Sequence, residues 1–291
     1  MSDSKLSKLS IVIPAKNEAA SLDNLLPQIK NLLPDAETIV INDGSTDNTR
    51  LVCEKHKIRS INHPYSKGNG AAIKAGARAS KNEILVFLDA DGQHKPEDIS
   101  ALVTKLLEGY DMVVGARNFR DQASFGRATA NTIYNWFASW MVKHKIFDLT
   151  SGFRAVRANK FRDFLSILPN GFSYPTTITM AFFRSGLSVG YVPIVAKKRE
   201  GKSHISIAKD GVRFLLVIFK IGALYSPLRI FFRASLFFFL TGLTYYLYTY
   251  HTTERFTNMS ALLFITSVLT FLIGLVSEQI TMLLYQKNDH K

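Results

Sequence analysis

The sequence predicts an α/β fold: a mostly parallel sheet domain, then an interfacial helix and two transmembrane helices. Three observations carry the prediction. Short apolar runs rich in β-branched residues alternate with helical patterns through the first part of the chain, which is the signature of strand–helix–strand units. An amphipathic basic segment follows. Two apolar stretches end the chain, each able to cross about 30 Å of hydrocarbon as a helix of roughly 20 residues.

The elements read in order. Residues 9–14 (LSIVIP) form a short apolar run, predicted to be a buried strand. A helical pattern occupies 19–32 and stops near Pro34. Residues 37–41 (ETIVI) make a second strand, 46–55 a helix and 59–62 a short third strand. Gly68 and Gly70 open a small-residue helix (AAIKAGARAS), and 83–88 (EILVFL) is the fourth strand. Pro96 begins the next helix at a favourable first-turn position, and 111–115 (DMVVG) is the fifth strand. Ligands of such sheets bind at the carboxyl ends of the strands. From 116 to 200 the pattern is less regular, with helices expected at 131–143 and 176–184, a loop at 151–154 and a strand at 189–196.

Residues 205–224 mix Lys209, Arg213 and Lys220 with Phe, Leu, Val and Ile, as a helix lying in a membrane interface does. The apolar stretches cover 228–250 and 259–284, joined by a short turn. The predicted organisation is a sheet domain over 1–200, a juxtamembrane segment over 201–227 and a transmembrane hairpin over 228–291. Arg229 and Arg233 flank the entry, and Lys287 and Lys291 follow the exit; this charge bias predicts that the sheet domain and the C-terminus face the cytoplasm. Glu278, near the cytoplasmic end of the second stretch, is expected to pair with Arg229 or Arg233, because an intramembrane acid is costly unless partnered.

The formal net charge is +13, of which residues 228–291, with five Lys/Arg and three Asp/Glu, supply only +2. A basic first domain suits phosphate-bearing ligands or an anionic bilayer. Cys53 is the only cysteine, which excludes a disulfide scaffold and suits a reducing compartment. No apolar leader precedes the first strand, so the domain is expected to remain cytoplasmic.

Three motifs lie at predicted strand ends. Asp89-Ala90-Asp91-Gly92-Gln93 follows the fourth strand; its two carboxylates can converge on one hard cation such as Mg²⁺ or Mn²⁺, which prefers oxygen ligands and shares them with substrate phosphates. Asn42-Asp43-Gly44-Ser45-Thr46-Asp47-Asn48-Thr49 follows the second strand: Asp43 can accept hydrogen bonds from a base or ribose, and Thr46 or Asp47 can cap the next helix. Pro14-Ala15-Lys16-Asn17-Glu18 ends the first strand.

These motifs, in this order and strand context, resemble glycosyltransferase family 2, of the GT-A (Rossmann-like) fold. Gly115-Ala116-Arg117, Ser151-Gly152-Phe153-Arg154 and Arg199-x-Gly201-x-Ser203, followed by a membrane hairpin, narrow the resemblance to the polyprenyl-phosphate hexose synthases. The resemblance implies that Pro14, Ala15, Glu18 and Asp43 hold base and ribose. It implies that Asp89, Ala90, Asp91 and Gln93 bind metal and diphosphate, with Asp91 catalytic. Arg117 and Arg127 would hold the lipid phosphate and serve catalysis. Ser151 and Arg154, with Arg199 and Lys202 on a segment that closes near the donor phosphates, would complete the acceptor and phosphate contacts. The implied partners are a UDP- or GDP-hexose, a polyprenyl phosphate and the bilayer, with a homo-tetramer by analogy and no nucleic acid. Two departures stand out: Asn42 occupies a position where many relatives carry Asp, and His204 one where Lys is common.

A lipid monophosphate is already ionised at neutral pH, its second pKa being about 6, so it attacks without a general base. Hydroxyl-accepting synthases of this fold carry a catalytic Asp in an E-D pair and a Q-x-x-R-W motif after the paired aspartates; no Q-x-x-R-W occurs between 95 and 227, and the one E-D pair there, Glu97-Asp98, directly follows Pro96 in the first turn of the predicted helix. Three other readings were weighed: a hydroxyl acceptor, a non-catalytic membrane scaffold, and a dinucleotide oxidoreductase suggested by Gly68-Asn69-Gly70. The last lacks the full G-x-G-x-x-G pattern and its acidic partner.

Overall fold

The computed structural model describes residues 9–117, 125–171, 173–195 and 226–289, without the side chains of 125–131 and 284–289. The chain divides into two compact units, residues 1–204 and 205–291.

The first unit is a seven-stranded sheet. In chain order it contains β1 (Leu9–Ala15), α1 (Ala19–Leu32), β2 (Glu37–Asn42), α2 (Thr49–Lys55), β3 (Arg59–Asn62), α3 (Asn69–Ala79), β4 (Ile84–Phe87), α4 (Asp98–Leu107), β5 (Met112–Arg117), α5 (Phe125–Val142), β6 (Arg154–Arg157), α6 (Ala158–Asp163), α7 (Tyr174–Arg184) and β7 (Val189–Ile194). The strand order is β3-β2-β1-β4-β6-β5-β7. β6 runs antiparallel to both neighbours, and every other pairing is parallel. The carboxyl ends of β1, β2, β4 and β5 therefore share one edge of the sheet.

Both faces are covered, which is why the strands read as continuous apolar runs. Leu9, Ile11 and Ile13 of β1 face a core built with Leu22, Leu25, Leu26 and Ile29 of α1 and Ile99, Leu102, Val103 and Leu106 of α4. Each helical set repeats at i, i+3, i+4 and i+7, one stripe of a 3.6-residue helix. On the opposite face α3 approaches so closely that a Cβ on Gly76 would sit 2.2 Å from Val12 Cγ1. Farther along, Phe87 packs on Phe161 at 4.7 Å between ring centroids and Phe164 on Phe182 at 5.4 Å.

Several expected boundaries move. The helix expected from 46 starts at Thr49, because residues 45–47 bond to residues 17–19 instead. The helix expected from 131 begins at Phe125. The irregular stretch after 150 contains a strand and a helix, β6 and α6. β6 is four residues with arginine at each end, so alternation cannot reveal it; the edges of β4 and β5 supply its pairing. Gly68 and Gly70 serve close packing: a Cβ on Gly70 would lie 2.1 Å from Pro169 O and one on Gly68 2.5 Å from Asn170 O. The segment expected to be an interfacial helix lies outside the described residues.

The second unit contains α8 (Pro227–Thr253) and α9 (Asn258–Asp289). Both are long and apolar enough to cross a membrane, and their apolar surfaces are largely exposed. A Cβ on Gly242 would stand 3.0 Å from Leu263 Cβ, and one on Gly274 2.6 Å from Phe231 Cβ. Ser267 Oγ donates to Ser235 O at 2.9 Å. Small residues and a buried serine pair are how helices associate where apolar burial gives no drive. Glu278 Oε2 accepts the Leu228 N–H at 3.3 Å, which ties the carboxylate to one of the free donors of the first turn of α8.

Candidate active site

The first two motifs form one interlocked pair of loops. Asp43 N–H donates to Ala15 O at 2.8 Å. Asn17, held at φ +56°, accepts the Thr46 N–H through Oδ1 at 2.8 Å, while its own N–H donates to Ser45 Oγ at 3.0 Å. Asp47 accepts from Ala19 N and Thr49 N, each at 3.0 Å, and so serves the first turns of α1 and α2 together. Of the two expected caps, Asp47 is the one that binds the helix. Asn42 bonds Asn62 and the Ser45 N–H through its amide, which holds the turn.

Asp43 is buried at the floor of this region. It accepts from His63 Nδ1 at 2.7 Å, Ser66 Oγ at 2.8 Å, Lys67 N at 2.8 Å and Gly68 N at 2.9 Å. Burial raises its pKa, but these four donors outweigh burial and hold the carboxyl below the usual range. An ionised carboxylate only accepts, so His63 carries its proton on Nδ1. Pro14 and Ala15 end β1 beside Asp43, and Glu18 directly precedes α1.

Asp89 and Asp91 follow β4 directly, with Ala90 buried between them. Asp91 Oδ1 accepts the Gln93 N–H at 3.2 Å, and Gly92 takes φ +69° to make the turn. Asp89 meets Gly152: a Cβ there would lie 2.7 Å from Asp89 Oδ2 and 3.2 Å from Oδ1. The Ser151–Gly152 backbone is thus a wall against the carboxylate that only glycine permits. Among the described residues no group of three or more His, Cys, Asp or Glu is placed to hold a metal. Two carboxylates and the Gln93 amide on one turn are oxygen donors that fit a hard cation, which takes its remaining oxygens from a substrate diphosphate and water. Gly152→Ala is expected to displace Asp89 and lower metal-dependent turnover by at least about tenfold with the fold retained; wild-type rates with Mn²⁺ titrated across the assay would contradict this.

Arg117 ends β5. Its Nε donates to Asp148 Oδ2 at 2.7 Å, and its Nη2 to Asp148 Oδ1 at 3.0 Å and Thr150 Oγ1 at 2.7 Å. The Arg117 side chain is 23% exposed and that of its partner Asp148 1%. Burial disfavours the arginine charge, but Asp148, then Asp89 and Asp91, outweigh it and raise its pKa. Burial likewise raises Asp148, and Arg117 with the Thr150 N–H overrides it, leaving the carboxyl below the usual range. His94 lies in the same field, stacked on Phe153 at 5.0 Å with Nδ1 buried and unbonded. Burial pushes its pKa down to about 4 despite Asp91, so the imidazole is neutral.

Ser151 and Arg154 take different places from those expected. Arg154 is fully buried; its Nη1 donates to Pro175 O and Thr179 Oγ1, each at 3.2 Å, and its Nη2 to Ser151 O. A phosphate cannot reach this guanidinium, so its expected acceptor contact is corrected to a clamp holding the 151–153 loop from beneath. Ser151 is equally buried, with Oγ unbonded, and meets the site through its backbone. The Arg127 side chain, Arg199 and Lys202 lie outside the described residues. Asp148, His94 and His63 went unnoticed in the sequence, although His94 directly follows the Asp89–Gln93 motif and Asp148 stands three residues before Ser151.

A mostly parallel sheet with paired carboxylates and an arginine at its carboxyl edge has the architecture of the sugar-transferring enzymes of the GT-A type. The chain belongs to glycosyl transferase family 2, whose family model matches residues 10–165, and residues 226–283 match the GtrB C-terminal hairpin. It is a glycosyltransferase and a membrane protein. It is 29% identical over 210 residues to an undecaprenyl-phosphate mannosyltransferase of Micrococcus luteus, covering 67% of this chain and 86% of that one. It is 28% identical over 212 residues to a polyprenol monophosphomannose synthase of Mycolicibacterium smegmatis, covering 67% and 80%. The fold matches that of glucosyl-3-phosphoglycerate synthase from Mycobacterium tuberculosis, solved with Mn²⁺, UDP and glucosyl-3-phosphoglycerate, at TM-score 0.60 and 22% identity over 75% of this chain and 82% of that one.

Proposed function

We propose that the protein transfers a hexose, with inversion and dependence on Mg²⁺ or Mn²⁺, from a UDP- or GDP-sugar to a polyprenyl phosphate at the cytoplasmic membrane face. The observation that carries this reading is geometric: the two carboxylates after β4 and the guanidinium at the end of β5 lie along one sheet edge, linked by the 148–152 loop, which pairs Asp148 with Arg117 and packs Gly152 against Asp89. That is a cation site beside an anion site. Both relatives are named for prenyl-phosphate chemistry, and the apolar hairpin suits a lipid acceptor.

Pro14, Ala15 and Glu18, over the floor made by Asp43, receive the base and ribose. Asp89, Asp91 and Gln93 hold the divalent ion, which when bound supplies Lewis-acid stabilisation of the charge growing on the departing diphosphate. Arg117 binds the acceptor phosphate and aligns its oxygen for attack on the anomeric carbon, with Arg127 as a second contact; Arg199 and Lys202 add positive charge at the diphosphate. Because the attacking oxygen is already anionic, the site needs orientation more than proton transfer. A single in-line displacement inverts the anomeric centre. Arg229, Arg233 and Lys287 at the helix ends support the orientation given for the hairpin.

The test is transfer by the purified full-length protein. Labelled nucleotide hexoses are supplied with undecaprenyl phosphate or diacylglycerol, with Mn²⁺ or with excess chelator. Labelling of the prenyl phosphate alone, abolished by chelator, is the expected result. Labelling of diacylglycerol alone, or turnover insensitive to chelator, overturns the reading.

A further inference from the structure

The carboxylate of Asp148 is 1% exposed and belongs to none of the three strand-end motifs. It accepts from six donors. Three are from Arg117: N at 3.2 Å, Nε at 2.7 Å and Nη2 at 3.0 Å. The others are Thr150 N at 3.1 Å, Thr150 Oγ1 at 3.2 Å and Ser151 N at 3.1 Å. It therefore grips the carboxyl end of β5 with one set of bonds and the loop carrying Gly152 with the other. Gly152 is the residue whose backbone lies against Asp89. A bidentate arginine–carboxylate pair fixes the plane of the guanidinium as well as its position, and Thr150 Oγ1 adds a second hold on Nη2 at 2.7 Å.

We infer that Asp148 is a positioning residue for sugar transfer: it sets the guanidinium plane of Arg117 and its spacing from the Asp89 carboxylate. This rests on the proposed role of Arg117 at the acceptor phosphate. Arg117 gives two of its guanidinium nitrogens to Asp148, and its side chain, 23% exposed, is left to meet the phosphate from one defined side. Oxygens at both ends of the Asp148 carboxyl are occupied by donors, so an amide in its place puts an NH₂ against at least one of them. That rotates the arginine without removing it.

The experiment is a double-mutant cycle in the full-length protein, read as kcat/KM for undecaprenyl phosphate. Asp148→Asn is expected to lower it about tenfold, mainly through KM, as loss of one charge-assisted pair predicts. In the Arg117→Ala background the same change is expected to have an effect within about twofold, because coupled residues are non-additive. A residue that only holds the fold together would give the same loss in both backgrounds, and that result overturns the inference. If Asp148→Asn melts well below wild type, Thr150→Val replaces it; removing one hold on Nη2 is expected to raise the acceptor KM about threefold, and an unchanged KM overturns the inference equally. A wild-type protein inactive on prenyl phosphate removes the acceptor role of Arg117 and the inference with it, whereas an active wild type with additive mutants removes the inference alone.

Discussion

Asp91→Ala is expected to lower kcat by about a thousandfold or more, the loss that follows when stabilisation of several kcal/mol at a leaving group disappears. The fold should survive. Asp91 is partly exposed on a turn, and a Cβ added to Gly92, which sets that turn, would meet nothing within 4 Å. Two measurements decide the matter: turnover with Mn²⁺ raised well above the wild-type requirement, and melting of the full-length protein. Retained turnover contradicts the metal assignment. Lost turnover with an unchanged melt supports it, and an Asp91→Asn protein partly restored by high Mn²⁺ would place the defect at the cation.

Arg117→Ala has two expected effects with one cause. It removes the cation facing the acceptor phosphate, which should cut kcat/KM for that acceptor about a hundredfold, the upper range for hydrogen bonds to a charged group. It also leaves Asp148, 1% exposed, without its counter-charge. Breaking a buried pair from one side costs about 3 kcal/mol or more, so denaturant unfolding should show a clear loss of stability. Arg117→Lys separates the effects: the charge returns and most of the stability with it, but an ammonium cannot fork onto both Asp148 oxygens, so acceptor kinetics stay impaired. Wild-type acceptor kinetics in either variant would end the phosphate role of Arg117.

Much of the frame was legible because its signals are local. The parallel strands announce themselves as apolar runs, being buried on both faces, and α1 and α4 by their i, i+3, i+4, i+7 stripes. Asp89 and Asp91 stood out through their place after a strand with two other motifs at strand ends beside them; a carboxylate pair alone reads as an acidic turn. Arg154 misled because its sequence context, Ser-Gly-Phe-Arg, says nothing about where the guanidinium turns; whether an arginine faces solvent or the core depends on α7, which supplies Pro175 O and Thr179. β6 was hidden for the same kind of reason, since four residues with arginine at both ends become a strand only between β4 and β5.

By itself the sequence determined the α/β class, the strand-end position of each motif, the family resemblance and the two apolar helices. All of these are written in spacing and hydropathy over a few residues. The tertiary structure alone decided that Asp148 holds Arg117 and that Gly152 walls Asp89. It also decided that His94 is buried and neutral beside them, and that Arg154 is a clamp. These depend on contacts between segments more than thirty residues apart in several cases, and a carboxylate or glycine acquires such a role from what the fold brings against it.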